Sequence, residues 1–343
     1  MDLKIINKEK VVSFVASAMK QYAVAGPVEQ DGRFLFAPLK DAADLRLAYT
    51  TTTLPPKKYL LPQEETLFTY ETEQKLARTN FNTQQLLLFG VHTCDIHAMG
   101  LLDAAFAQGY PDAHYARRRA TTYIVGIECL APCDDQSFCK SMNTLSANSG
   151  FDLHLIDLGN KYAVEVGTSA GQALLCEHAQ AHAATREDLA LLDKTLSAKW
   201  GRFPQRLDVE RSDLPSLMTM SHHSPLWEEL GEKCLGCGAC NIVCPTCYCF
   251  DVRDYASLDG KTTERRRVWD SCQLDEFALV TTGENFRRTR AQRLRHRFMR
   301  KGKYLSERFG PMGCVGCGRC ARACLVNITP VGAWNSLHQA HAV

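Results

Sequence analysis

Two cysteine runs with identical spacing constrain this chain more than any other feature of its sequence. Each run reads Cys-x-x-Cys-x-x-Cys-x-x-x-Cys, and the runs begin at Cys234 and Cys314. The first three thiolates of a run can wrap three corners of a 4Fe–4S cube, while the displaced fourth cysteine ligates a second cube. A zinc site uses two cysteine pairs, not two complete runs of four. The spacing therefore predicts two 4Fe–4S clusters.

This bacterial-ferredoxin spacing also predicts which cysteines share a cluster, because the fourth cysteine of each run ligates the cluster of the other run. The first ligand set is predicted to be Cys234, Cys237, Cys240 and Cys324. The second ligand set is predicted to be Cys314, Cys317, Cys320 and Cys244. Glycines inside both runs allow tight bends that bring backbone amides near sulfur. Leu325 follows the second run where Pro245 follows the first, which changes a turn residue and no ligand.

The chain has sixteen cysteines among 343 residues, which is unusual for a cytoplasmic protein. Its start is charged and then amphipathic, without the apolar stretch of a secretory leader. Because reducing compartments disfavour structural disulfides, metal binding is favoured over disulfides as the role of these cysteines. The most apolar stretch, residues 86–102, is interrupted by His92, Asp95 and His97. We therefore expect a cytoplasmic protein without a membrane span.

The first part of the chain alternates between strand and helix patterns, as α/β domains do. Short runs of aliphatic, β-branched and aromatic residues predict strands at residues 33–37, 85–91, 121–127, 151–158 and 161–166. Apolar residues at helical spacing predict helices at residues 11–20, 96–107 and 186–199. Proline and charged residues then interrupt the alternation. We predict an α/β domain over residues 1–205 and an α-helical, ferredoxin-like two-cluster domain over 206–343, with an insertion at about 247–312.

Sequence motifs for nucleotide binding and for hydrolytic catalysis are missing. The segment Gly-Thr-Ser-Ala-Gly at 167–171 lacks the Gly-Lys-Ser/Thr ending of a phosphate-binding loop. No Gly-x-Gly-x-x-Gly follows a predicted strand and opens a helix. No Ser-His-Asp or paired-carboxylate arrangement stands out. We expect no nicotinamide bound through a Rossmann fingerprint and no catalytic residue on this chain.

The predicted α/β domain contains a third candidate ligand set: Cys94, Cys129, Cys133 and Cys139. Cys94 and Cys129 each follow a predicted strand, and the carboxyl ends of parallel strands meet at one sheet edge. Four thiolates at that edge can hold a further 4Fe–4S cluster, which is the interpretation we prefer. The alternative is a group of buried free cysteines, since cysteine is among the most buried residues.

Four other cysteines have no clear place in a ligand set. Cys247, Cys249 and Cys272 lie in the predicted insertion, and Cys176 stands alone in the α/β domain. With one further ligand, the three insertion cysteines can bind another cluster. Without it, they pack as small hydrophobic residues, which we prefer.

A strongly basic segment, residues 287–303, contains nine Lys or Arg residues and no acidic residue. Such a segment can be a nucleic-acid-binding arm, a solvated helix face or a docking surface for a partner. It can also affect the potentials of negatively charged clusters. The whole chain carries a formal net charge of only +2, which argues against a polyanion partner. We therefore expect no nucleic acid among its partners.

Several motifs together resemble one protein family. They occupy residues 89–103, 150–158, 240–252, 265–273, 283–298 and 313–320. They resemble the beta (iron–sulfur) subunit of soluble NAD(P)-linked sulfhydrogenases and, less fully, the A subunit of anaerobic sulfite reductase in the same family. The resemblance extends from about residue 50 to residue 330. In the similar sequences, the third cysteine of the third candidate ligand set lies at a different distance along the chain from the second one. The spacing between Cys129 and Cys133 in this chain therefore departs from the family pattern.

The resemblance implies a relay subunit that does not itself react with hydrogen or sulfite. We expect it to carry electrons between a flavin- and NAD(P)-binding subunit and a NiFe-hydrogenase-type catalytic module. One alternative is the equivalent iron–sulfur subunit of an anaerobic sulfite reductase. An alternative of another class is an iron–sulfur redox sensor that binds nucleic acid through the basic segment.

Overall fold

The computed structural model describes residues 3–82 and 84–341. The strands are β1 (Leu3–Asn7), β2 (Ala23–Gln30), β3 (Arg33–Pro38), β4 (Glu64–Glu71), β5 (Leu76–Thr79), β6 (Leu86–His92), β7 (Thr122–Ile127), β8 (Leu153–Asp157), β9 (Lys161–Val166), β10 (His182–Ala183), β11 (Phe250–Ala256) and β12 (Thr262–Trp269). The α-helices are α1 (Lys8–Ala18), α2 (Thr93–Ala107), α3 (Ala113–Ala120), α4 (Ser169–His178), α5 (Arg186–Lys199), α6 (Leu214–Met220), α7 (Leu226–Lys233), α8 (Ala239–Ile242), α9 (Arg290–Met299), α10 (Leu305–Phe309), α11 (Arg319–Arg322) and α12 (Pro330–His341). A π-helical turn over Arg300–Tyr304 joins α9 to α10.

The larger sheet has the strand order β10-β1-β9-β8-β7-β6-β2-β3. Its centre is parallel from β2 through β6 and β7 to β8, while the flanking strands are antiparallel. Side chains alternate across the sheet, so Leu87 packs with Phe14 of α1 on one face and Leu88 packs with Met99 of α2 on the other. Both faces are therefore covered. The carboxyl ends of β6, β7 and β8 lie at one edge.

A second, smaller sheet has the order β11-β12-β4-β5 and is antiparallel throughout. It joins a hairpin from the predicted insertion to two strands from the first part of the chain. Cross-strand ion pairs hold it together: Arg266 contacts Glu64 at 2.7 Å, and the buried Arg267 guanidinium pairs with Glu65. Arg266 and Arg267 of β12 thus pair with residues that are 202 positions away in sequence.

The predicted fold class is therefore wrong, because residues beyond 205 contribute β-strands and are not plainly α-helical. The reason is physical. Strand propensity depends on cross-strand partners, and the Glu-Arg-Arg-Arg segment of β12 looks like a solvated run when Glu64 and Glu65 are not considered. The proposed domain boundary near residue 205 stays a prediction.

Helices from the last third of the chain surround a separate apolar core that includes Trp227 of α7, Phe298 of α9 and Trp334 of α12. Phe138 and Met142, from the loop that follows β7, are part of this core. The loop at the edge of the large sheet is thereby fixed against the cysteine runs. None of the helices in the two described ranges has the length and apolarity that a bilayer span requires.

Candidate metal centres

The first predicted ligand set surrounds one cavity. Its lining includes Cys234, Cys237, Cys240 and Cys324. Gly236 and Gly238 adopt left-handed φ angles of 66° and 77°, which bend the first run around this cavity. Backbone amides point at sulfur: Gly236 donates to Cys234 Sγ at 3.4 Å, and Ile328 donates to Cys324 Sγ at 3.2 Å. Cys324 therefore lies with the three leading cysteines of the other run.

The second predicted ligand set surrounds a second cavity. Its lining includes Cys244, Cys314, Cys317 and Cys320. Gly316 donates its N–H to Cys314 Sγ at 3.5 Å, repeating the contact in the first run. Phe138, Phe298 and Trp334 form apolar walls. Both cavities thus combine three cysteines of one run with the fourth cysteine of the other.

These residues fit 4Fe–4S groups. Within residues 3–82 and 84–341, no three His, Cys, Asp or Glu side chains converge on the position of a single metal ion. The thiols surround a cavity instead, with apolar walls and amide donors to sulfur. Burial raises the pKa of the Cys240 thiol to about 12, and burial also raises that of Cys314. These thiols must therefore lose their protons when they bind a cluster, and metal binding to cysteine releases such protons.

The basic segment presents one face to the cavities. Arg297 and Lys301 lie on that face and are buried, whereas Arg288 and Arg290 are exposed. Arg297 lines both cavities. Neighbouring thiolates, chiefly that of Cys240, oppose the effect of burial and hold the pKa of Arg297 above its ordinary value. Part of the basic segment therefore serves the cysteine sites.

The third predicted set lies at the edge of the large sheet. Cys94 is in the first turn of α2, directly after β6, and Cys129 lies two residues beyond β7. Thr93 Oγ1 donates to Cys129 Sγ at 3.7 Å, and Cys133 Sγ donates to the Thr50 carbonyl at 2.7 Å. Burial raises the pKa values of Cys129, Cys133 and Cys139 to about 12 each. Cys129 and Cys133 line one cavity, and Cys129 packs against the apolar cluster that contains Cys139, so these three thiols are neighbours.

The second cysteine run packs directly on the loop that carries this third set. Phe138 donates its N–H to the Gly316 carbonyl at 2.7 Å. A Cβ added to Gly316 would lie 2.7 Å from Cys139 Cα, so only glycine permits this approach. Cys317 packs against the apolar cluster that contains Cys94. The third set is therefore adjacent to the second.

A buried ion pair closes the same junction. Arg319, from the second run, makes two contacts with the Asp95 carboxylate of α2, at 2.6 and 2.7 Å. Arg319 Nε also donates to the Thr52 carbonyl at 2.9 Å. Sequence reasoning missed these residues, because nothing local in the sequence pairs positions 95 and 319.

The unassigned cysteines lie near the first and second sets. Asn241 Nδ2 donates to Cys272 Sγ at 3.0 Å. Cys247 Sγ donates to Asn241 Oδ1 at 3.5 Å. The packing role of Cys247, Cys249 and Cys272 stays a prediction. Cys176 is exposed, far along the chain from the other sets.

Lys57 is a second residue that the sequence did not reveal. It is buried, donates to the Cys247 carbonyl at 2.6 Å and lies 4.2 Å from the centre of the Trp269 indole ring. Burial lowers the pKa of Lys57 to about 8. Its position in a 3-10 turn far from either cysteine run carries no metal-site signal.

Comparison with known proteins agrees with this geometry. Residues 233–328 match the family model described as a 4Fe-4S dicluster domain. The chain is 37% identical over 310 residues to sulfhydrogenase 2 subunit beta of Pyrococcus furiosus, an alignment that covers 90% of each chain. No solved structure matches the chain. The chain therefore belongs to the sulfhydrogenase beta-subunit family and is an iron–sulfur, electron-transfer subunit with a 4Fe–4S dicluster domain.

Proposed function

We propose that this chain carries electrons between a flavin- and NAD(P)-binding subunit and a NiFe-hydrogenase-type catalytic module. One observation carries the proposal: each of two cavities is lined by three cysteines of one run and the fourth cysteine of the other. When bound, a 4Fe–4S cluster at each cavity supplies one-electron transfer. The ligands are Cys234, Cys237, Cys240 and Cys324 for one cluster, and Cys314, Cys317, Cys320 and Cys244 for the other.

A third cluster at Cys94, Cys129, Cys133 and Cys139 is part of the proposal. Its support is that Cys129 lies beside Cys133 and Cys139, that Cys94 packs against the second run, and that the loop of the other three packs directly on that run. The proposed order of sites is then the third set, the second set and the first set. The chain's own residues provide ligands, apolar insulation and fixed spacing between neighbouring sites.

The proposed contact with an electron partner is at the first set. Cys237 is exposed, and the adjacent Leu235 and Leu325 are 55% and 84% exposed. The second set is covered by the loop that follows β7. A partner subunit can therefore approach the first set closely, and the short distance for electron transfer suits a point where electrons enter or leave the chain.

The alternatives are less well supported. The similar Pyrococcus furiosus protein is named as a sulfhydrogenase subunit, which favours hydrogenase over sulfite reductase. The inward side chains of Arg293, Arg297 and Lys301 remove part of the basic segment from the surface that a nucleic-acid sensor requires. We also propose a cytoplasmic location, in keeping with a cysteine-rich chain that holds no disulfide among its described residues.

The test is anaerobic purification of the tagged chain from its native host, followed by identification of the subunits that accompany it. We expect a flavoprotein and a hydrogenase-type subunit, and NAD(P)H should reduce the clusters in this complex. The isolated chain, with its clusters loaded, should not be reduced by NAD(P)H alone. Reduction of the isolated chain by NAD(P)H, or purification with sulfite reductase subunits, would contradict the proposal.

A further inference from the structure

Arg297 occupies a position that the relay function does not by itself require. It lines the cavity of the first set and also the cavity of the second set, and only 5% of its surface is exposed. Its Nε donates to Asn241 Oδ1 at 3.0 Å and its Nη2 donates to the Cys240 carbonyl at 3.4 Å. These neutral contacts fix the guanidinium between the two cavities.

The charge of Arg297 lacks the partner that other buried arginines have. Arg319 pairs with Asp95, Arg293 with Asp275, and Arg267 with Glu65 and Asp112. In the part of the chain that the structure describes, Arg297 forms no ion pair with a carboxylate. A buried charge without a counter-charge is strongly disfavoured. The two cavities that Arg297 borders are lined by cysteines instead, among them Cys240 of the first set and Cys320 of the second.

We propose that Arg297 is the shared counter-ion of the two ferredoxin-type sites and raises the reduction potential of both. The inference rests on the proposed function, because it requires clusters in both cavities. A cluster held by four cysteine thiolates is negatively charged, and reduction adds one more negative charge. A fixed cation therefore stabilises the reduced form more than the oxidised form. Since one guanidinium borders both cavities, its positive charge stabilises the reduced form of both clusters.

Lys301 provides a matched comparison one helical turn further on. It is buried, lines only the cavity of the second set, and donates from Nζ to Thr246 Oγ1 at 2.6 Å. Arg295 provides a control, since it belongs to the same helix but reaches the His222 carbonyl at 3.3 Å instead of a cavity. The three cations differ in how many cavities they border: two, one and none.

The experiment is a redox titration of the full-length, anaerobically purified chain, followed by electron paramagnetic resonance. Each cluster signal is assigned from its change in Cys324→Ser or Cys244→Ser. Arg297→Gln should lower the reduction equilibrium constant of both clusters about tenfold, equivalent to about 59 mV for a one-electron couple. Lys301→Met should shift only the cluster of the second set, and Arg295→Gln should shift neither.

Unchanged potentials in an iron-replete Arg297→Gln protein, or a shift of one cluster alone, would overturn the inference. If that variant loses iron, Arg297→Lys decides, because it keeps the charge and loses the bond from Nε to Asn241. Potentials near those of the unmodified chain then support the counter-ion, and a tenfold loss at both clusters overturns it. Missing iron in the unmodified chain would count against the proposed function instead.

Discussion

The two cysteine runs have the same ligand spacing, yet their surroundings differ. Leu235, directly after the first cysteine of the first run, is 55% exposed, whereas Val315 at the equivalent position of the second run is 4% exposed. Position 239 holds a small alanine, and position 319 holds an arginine that pairs with Asp95 inside the protein. Spacing therefore determines which cofactor each run can hold, while the surroundings determine whether that site faces a neighbour in the chain or a partner.

The difference begins with what covers each run. The second run lies on the loop after β7, with Gly316 against the backbone of Cys139. The first run has only side chains near the equivalent Gly236, the closest being Arg293 Nη2 at 3.6 Å from an added Cβ. One run is thus an internal junction between sites, and the other is open at its outer edge.

The largest expected effect comes from exchanging the fourth cysteine of either run. Cys324→Ser should disturb the cluster of Cys234, Cys237 and Cys240, although Cys324 belongs to the other run. Cys244→Ser should disturb the cluster of Cys314, Cys317 and Cys320. Each variant should alter one cluster signal and release up to about four of the iron atoms. Iron analysis and electron paramagnetic resonance of the anaerobic protein measure this.

Cys176→Ser is the control for both variants, since Cys176 is exposed and outside every predicted set. It should leave iron and both signals unchanged. If Cys324→Ser instead altered the signal that Cys314→Ser alters, the crossed ligand sets would be wrong.

The early cysteines test whether the junction beside the second run holds a cluster. With a third cluster, Cys94→Ala should lower iron from about twelve to about eight atoms per chain. It should also destabilise the sheet edge by several kcal/mol, since ligand binding contributes to folding. As a packing thiol, Cys94 would tolerate alanine at a cost of about 1 kcal/mol from a small cavity. Iron analysis and chemical denaturation separate these results, and unchanged iron would remove the third cluster from the relay.

The grouping of the run cysteines around two cavities could be predicted from sequence because the signal is local: four cysteines at fixed spacing indicate a cluster whatever surrounds them. Strands such as β6, β7 and β9, and the helix at 186–199, were equally visible, because each has its own periodic pattern. Residues 96–107 were recognised as helical, although α2 begins earlier, at Thr93.

Features that depend on distant partners could not be predicted. β4 and β12 are stable because Glu64 and Glu65 meet Arg266 and Arg267 across the sheet. β12 has no apolar face that would identify it as a strand by itself. The buried position of Arg297 between the two cavities was equally hidden, since the basic segment does not indicate which of its cations point inward. Burial and pairing decide these features, and both are properties of the folded chain.

Replacing the equivalent glycines of the two runs should lower the free energy of unfolding by different amounts. This effect is expected to be smaller than those of the cysteine variants. Gly316→Ala would place Cβ 2.7 Å from both the Cα and the N of Cys139, in a backbone with φ of 69°. We expect a loss of about 2–4 kcal/mol, from backbone displacement and the left-handed conformation. Gly236→Ala has a similar φ of 66° but ordinary contact distances, so about 1 kcal/mol is expected. Chemical denaturation of the iron-replete proteins measures both, and equal losses would contradict an internal junction at the second run.

The smallest effect on stability is expected at the exposed edge of the first run, and it sharpens the comparison with the second run most directly. Leu235→Ser should change the free energy of unfolding by less than about 0.5 kcal/mol, because the side chain is already largely in water. Val315→Ser, at the equivalent buried position, should cost about 1–3 kcal/mol by placing a hydroxyl among apolar groups. If the first set is the contact with an electron partner, Leu235→Ser should nevertheless slow electron exchange within the purified complex, since it removes apolar surface that the partner would bury. Stopped-flow reduction of the clusters by NAD(P)H, at several concentrations of the flavoprotein subunit, measures that exchange. If the Leu235→Ser complex forms and reacts like the unmodified one, the partner must bind elsewhere. The first run would then differ from the second only in its greater solvent exposure.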